Sequence, residues 1–287
     1  MKEISVLFLA VLLAVQGFSQ EQGDFRKFKF GFKVDPNVSW MSPESTDITS
    51  KGVLVRGTFG LVADIMFSER YAFGTGVSIL GSGGQVSYFA KEERASDVGD
   101  QIFIVAKNRK YKLKYIEIPL TLKLRTDEIG YITYWGQFGL GLGFATKATA
   151  DDVTSFRSQL VEDSETPNSE WKDEGVDGFT IDKGEIEEEG LDIYDDILPV
   201  RASLIIGAGV DYSLSGNTSL MFGITYNNGF TNVFKSKEEG EEDGIKPNDD
   251  GNPSFDLDAV SGGGRKYDTF DLKSITNSFV LTAGILF

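Results

Sequence analysis

The stretch IEIPLTLKL, residues 116–124, places Ile116, Ile118, Leu120, Leu122 and Leu124 at every second position, with Glu117, Pro119, Thr121 and Lys123 between them. An extended strand turns alternate side chains to opposite faces, so one face is purely aliphatic and the other polar or small. The same sorting recurs elsewhere. Phe28, Phe30, Phe32 and Val34 alternate with Lys29, Gly31, Lys33 and Asp35. Val55, Phe59, Leu61, Ala63 and Ile65 stand against Arg56, Thr58, Gly60 and Asp64, and Phe138, Leu140, Leu142 and Phe144 against Gln137, Gly139, Gly141 and Gly143. Large apolar residues outside and small ones inside reverse the usual soluble arrangement. The arrangement suits a narrow closed sheet with bulky residues toward hydrocarbon and small or charged ones inside.

Eight segments show this period: 28–40, 52–67, 71–80, 110–125, 131–147, 198–213, 218–231 and 275–287. Short gaps (SER, TDEIG, LSGN) alternate without exception with long ones at 41–51, 81–109, 148–197 and 232–274. That rhythm predicts an all-β chain, an eight-stranded antiparallel up-and-down transmembrane β-barrel with short periplasmic turns and long extracellular loops. Ile116 to Leu124 rises roughly 20 Å at a tilt of about 40°, which matches the apolar band of such a barrel. Trp40, Tyr71, Tyr131, Tyr134, Trp135 and Tyr212 fall near segment ends, where a girdle of aromatics is expected at the water boundary. Pro119 predicts a local bulge, since it cannot donate to the ladder.

The ends and the composition complete the plan. Residues 1–19 read as a cleaved signal peptide, with Lys2 ahead of an apolar run and Gly17 and Ser19 at the cleavage site. A short periplasmic segment, 20–27, follows, and 28–287 is the barrel domain, placed in the outer membrane of a Gram-negative bacterium. The chain has no cysteine and no histidine. Disulfides and thiolate metal sites are therefore excluded, and the commonest general base and metal ligand is missing. No enzymatic activity, no cofactor and no catalytic or metal site is predicted.

The inward charges, Lys29, Lys33, Arg56, Lys123, Arg125 and Arg201 against Asp35, Asp64, Glu117 and Asp211, predict an ion-pair network that fills the lumen without leaving a pore. Residues 148–197 hold 17 carboxylates against three cations, and 232–274 hold 11 against six, so the loops form an acidic crown. Such a crown repels nucleic acid. Stretches within it, Glu185 to Glu189 and Glu238 to Asp243, suit hard cations in type but not in spacing, so weak divalent-cation binding stands beside simple solvation in mobile loops. The glycines of GSGG at 81–84 and SGGG at 261–264 read as flexible loop.

The run KYKLKYIEIPLTLKLR resembles the central strand of the PorT-like outer-membrane β-barrel family, at Tyr115, Glu117, Ile118, Pro119, Leu120, Leu122 and Lys123. The likeness extends through FKFGFKVDPNVSW, GQFGLGLGF and LIIGAGVDYSL to the closing strand. The resemblance implies an outer-membrane barrel and, for the family's namesake, participation in type IX protein secretion with secretion-system proteins as partners. The terminal Phe287 resembles the signal read by the barrel assembly machinery, and outer-membrane lipid is the remaining partner. A surface barrel similar to OmpX, whose acidic loops bind cations or partner proteins, is the alternative, and a small pore is a third.

Overall fold

The computed structural model describes residues 27–45, 48–96, 99–162, 169–172, 185–215, 217–235, 244–245, 269–270 and 272–287. Its strands are β1 (Phe28–Pro43), β2 (Thr49–Met66), β3 (Tyr71–Ser96), β4 (Gly99–Arg125), β5 (Ile132–Glu162), β6 (Ser169–Lys172), β7 (Glu185–Asp192), β8 (Val200–Ser215), β9 (Thr218–Gly229), β10 (Gly244–Ile245), β11 (Thr269–Phe270) and β12 (Ser274–Leu286). Eight of them close a ring, each antiparallel to the next: β1, β2, β3, β4, β5, β8, β9, β12 and back to β1. Closure leaves the ring no unpaired edge, a condition for crossing hydrocarbon with strands. The short strands lie outside it, β6 and β7 on the free side of β5, β10 on β3 and β11 on β10.

Each period-two segment falls on one ring strand, and the three tight connections join β2 to β3, β4 to β5 and β8 to β9. Arg70 and Asp127 tie the first two of these turns together at 2.7 Å, in full exposure.

The long connections differ from the sequence reading. β3 and β4 do not stop at residues 80 and 110 but remain paired out to Ser96 and Gly99. β5 continues to Glu162 and carries β7 beside it, so much of 81–109 and 148–197 is sheet. The segment GSGG is strand and buried, not flexible loop. Gly83 has φ +143°, and a Cβ there would come 2.0 Å from the Tyr111 carbonyl oxygen, so only glycine lets β3 lie this close to β4. The second glycine run, 261–264, lies outside the described residues, as do the signal segment 1–19 and Glu238 to Asp243.

Pro119 produces no bulge. The β3–β4 register is unchanged on both sides of it, Gly74 opposite Thr121 and Ser78 opposite Glu117, but the pairs between them are missing. Pro36 does the same between β1 and β12, where Val34 opposite Ala283 and Asn37 opposite Val280 keep one register across a gap. A proline without an N–H interrupts the ladder on one side while its other neighbour, Gly141 for Pro119 and Gly57 for Pro36, stays paired.

The polarity of the wall inverts along its length. On β4, Ile116, Leu120 and Leu124 are exposed, while Glu117, Thr121, Lys123 and Arg125 are buried inside. Beyond Tyr115, with the facing of alternate residues unchanged, Tyr111, Leu113 and Tyr115 are buried inside and Lys110 and Lys114 point out. The apolar interior of this extension is completed by Met41, Leu80, Val86, Tyr88, Val105, Ala148, Ala150, Ile193, Ile197 and Phe234. Below it the ring turns its apolar side to lipid, and within it the ring is built like a water-soluble protein.

Candidate functional site

The barrel interior sets strands with charged inward positions, such as Glu117, Lys123 and Arg125 of β4, beside strands whose inward positions include glycines, such as Gly139, Gly141 and Gly143 of β5. The glycines let charges on separated strands meet. Glu117 on β4 and Arg201 on β8 are both register partners of Gly143 on the intervening β5, and Arg201 Nη1 reaches Glu117 Oε2 at 3.2 Å over that glycine. Arg201 also donates to Thr276 Oγ1 at 3.0 Å and to the Thr276 carbonyl at 3.2 Å. In the same way Asp64 on β2 meets Lys123 on β4 at 2.8 Å beside Gly74 of β3.

Arg125 extends this group, 3.7 Å from Asp64 Oδ2 and 2.7 Å from Asp211 Oδ2. Lys33 Nζ lies 2.7 Å from Asp35 Oδ2, but off the direction of a hydrogen bond, so both oxygens of the fully buried Asp35 lack a hydrogen-bond donor. Of the ten lumen residues read from the sequence, eight therefore lie in ion pairs. Lys29 stands opposite Asp64 in register without an ion pair among the described residues, within the field of Arg125, Asp211, Asp64 and Lys123. Arg56 packs against Gly81 and likewise makes no ion pair among the described residues.

Between the Asp64 and Glu117 groups lies a cavity of about 60 Å³, lined by Asp35, Asp64, Glu117, Thr121, Lys123 and Thr225 among others. At roughly 10–15 Å³ per water centre it has room for a few waters, enough to serve polar atoms such as the Asp35 carboxylate. Trp135 belongs to this interior and not to the aromatic girdle. It is buried, with Lys123 Nζ 4.5 Å from its ring, and it overlies Gly209 and Gly223, where an added Cβ would meet the indole at 2.3 and 2.5 Å. Alternation decides this, because Tyr134 faces out and its neighbour must face in. Tyr71, Tyr131, Tyr134 and Tyr212 are exposed near the tight turns, and Trp40 is half-buried against Phe279 and Tyr226 at 5.6 and 6.3 Å. Phe287 sits on the outer face at the end of β12, its N–H donating to the Phe30 carbonyl at 2.7 Å.

The extension holds a further ion pair that sequence reading missed. Arg109 Nε donates to Asp152 Oδ1 at 2.6 Å, and a second contact joins Nη2 to Oδ2. Burial opposes the guanidinium charge, but the bond to Asp152 and the surrounding field of Tyr88, Tyr111 and Asp152 outweigh it and raise the Arg109 pKa above its already high ordinary value. The signal for this second compartment is present in KYKLKYIEIPL, where the apolar positions change from odd to even between Tyr115 and Ile116. On the outside, Glu185, Glu187, Glu188 and Glu189 of β7 are exposed, and among the described residues no three carboxylates converge on one point.

The model of the outer membrane protein beta-barrel domain matches residues 18–235. The chain belongs to that family. It stands in the outer membrane of a Gram-negative bacterium, and the eight strands β1, β2, β3, β4, β5, β8, β9 and β12 form its membrane ring. Among solved structures, Ail, the attachment invasion locus protein of Yersinia pestis, in complex with the heparin analogue sucrose octasulfate, is similar at 13% identity and TM-score 0.30, covering 91% of this chain and 100% of that one. Neisserial surface protein A is similar at 13% identity and TM-score 0.35, covering 90% and 95%. The outer membrane protease OmpT from Escherichia coli is similar at 8% identity and TM-score 0.32, covering 94% and 99%. A search of the curated proteins gave no match.

Proposed function

We propose that this barrel is a non-enzymatic structural and interaction protein whose lumen conducts no solute. The observation that carries the reading is the filling of the interior: the Asp64, Lys123, Arg125 and Asp211 group and the Glu117–Arg201 pair cross it, and the apolar cluster around Tyr111, Leu113 and Tyr115 lies above them. A chain without histidine also lacks the usual base for hydrolysis. The test is conductance of the purified protein in planar bilayers. A flat current trace is expected, and discrete steps from the native protein would overturn the reading in favour of a pore.

The resemblance of Tyr115 to Lys123 to the PorT-like strand supports a more specific form of the proposal, an accessory of type IX secretion that contacts secretion-system proteins. Deletion of the gene should then deplete exported proteins and trap their precursors in the periplasm, with recovery on complementation. An unchanged secretome would remove that role and leave the extension as a surface for other partners. Phe287, on the outer face of the last strand, supports recognition by the barrel assembly machinery during biogenesis.

A further inference from the structure

On the outer wall of the β4–β5 hairpin, Ile116 and Phe144 are directly opposed and form its uppermost apolar pair. The next outward pair above them is Lys114 opposite Lys147, both exposed. Lys112 and the exposed Lys110 continue the row along β4. One carboxylate on this patch, Asp151, faces Lys110 in register and is ion-paired with Lys112. Beyond it the neighbouring β7 carries the exposed Glu187 and Glu189, next to the Gly190 N–H that donates to Asp151, and Asp192, which is opposite Thr149 and accepts the Tyr194 N–H at 3.0 Å. Among the described residues Asp151 is the one acid ion-paired with any of these four ammonium groups, and like charges directly across an antiparallel pair destabilise the sheet unless a counter-charge lies between them.

The height of the row identifies that counter-charge. Lys114 is two residues beyond Ile116, about 5 Å above the top of the hydrocarbon at the usual strand tilt. The outer leaflet of this membrane is lipopolysaccharide, whose lipid phosphates lie at that level. We propose that Lys110, Lys112, Lys114 and Lys147 form a binding site for the phosphate groups of outer-leaflet lipopolysaccharide, with the opposed Lys114 and Lys147 at its centre. Lysine suits the task as a compact point charge on a long stem that rises from an apolar wall. The exposed carboxylates of β7 border the row on the β5 side, so phosphate contact is centred on Lys114 and Lys147, at the end of the row nearest the hydrocarbon.

The experiment uses the full-length protein in nanodiscs, titrated with lipopolysaccharide, with enzymatically dephosphorylated lipopolysaccharide and with inorganic phosphate. Native protein should prefer the phosphorylated lipid. Each lysine replaced by glutamine should weaken that binding about fivefold, so that Lys114→Gln with Lys147→Gln reduces it roughly 25-fold. Lys114→Arg with Lys147→Arg should retain it, and Arg70→Gln on a periplasmic turn should leave it unchanged. Heat-modifiable gel mobility reports folding of each variant. If the glutamine variant fails to fold, the arginine variant and the dephosphorylated lipid decide the matter. Equal binding of phosphorylated and dephosphorylated lipid, or unchanged binding by a folded glutamine variant, would overturn the proposal. So would inorganic phosphate binding as tightly as the lipid, since the site would then serve a free anion.

Discussion

The lower and upper parts of the β3–β4–β5 wall are one continuous sheet with opposite chemistry. Below Tyr115 the wall is apolar outside and ionic inside, and above Ile116 it is ionic outside and mainly apolar inside, with the Arg109–Asp152 pair set into the apolar cluster. The backbone ladder runs through the change with one displacement, where Lys114 opposite Lys147 gives way to Tyr115 opposite Ala145. The contrast shows that a strand carries no fixed rule for which face is apolar. Solvent sets it. Where hydrocarbon surrounds the ring, the bulky residues belong outside and buried polar atoms must pair within; where water surrounds it, the hydrophobic effect restores the usual arrangement.

The comparison can be broken most severely inside the lower compartment. Lys123→Met removes the amine closest to Asp64, leaving Arg125 at 3.7 Å as that carboxylate's ion-pair partner among the described residues. Leaving a buried charge half-answered should cost about 3–5 kcal/mol. Urea unfolding of the barrel in lipid vesicles would measure it, and a loss below about 1 kcal/mol would show the pair to be dispensable.

The upper compartment should respond as an ordinary core does. Leu113→Ala is expected to cost about 2–5 kcal/mol of local stability, because the side chain is fully buried among aromatics. Hydrogen exchange would localise the effect: faster exchange on β3 and β4 above residue 110, with the band around Leu120 still protected. Uniform loss of protection through both regions would mean that the two compartments fold as a single unit.

The outer faces offer the next contrast. Leu120→Lys puts a charge on the lipid face at the middle of the band and should destabilise by about 2–4 kcal/mol. Lys112→Leu, on the water side of the same strand, should change stability by less than about 1 kcal/mol, since it removes one partly exposed pair and leaves Asp151 facing Lys110. If the two substitutions cost the same in vesicle unfolding, the boundary does not lie between Tyr115 and Ile116.

The smallest effect concerns pH. Burial tends to raise the Asp151 pKa, but the bond from Lys112, the Gly190 N–H and the charges of Lys112 and Lys110 together lower it below 3.8. A carboxyl depressed on folding stabilises above its unfolded pKa and loses that contribution as pH falls through the lowered value. The pair should therefore persist to pH values below 3.8. An NMR titration of the Asp151 carboxyl in detergent would test this, and a midpoint above 3.8 would contradict it.

Much of this was legible in the residues alone. Period-two runs such as Phe138 to Phe144, and the alternation of short with long gaps, specify eight strands and their facing, because a strand has two faces and lipid accepts one of them. The inward set from Lys29 to Asp211 follows from the same parity. Which charges meet does not, because Glu117 and Arg201 are 84 residues apart and come together only when β4, β5 and β8 lie side by side with Gly143 between them. The position of Trp135 near a strand end points to the girdle, but its parity with the outward Tyr134 turns it into the lumen. Sequence pattern determined the ring and its two faces, since alternation is a local property of the chain. The ion pairs, the tryptophan over its two glycines and the apolar core above the membrane were decided by closure of the barrel, because only neighbouring strands in register supply the second partner of each contact.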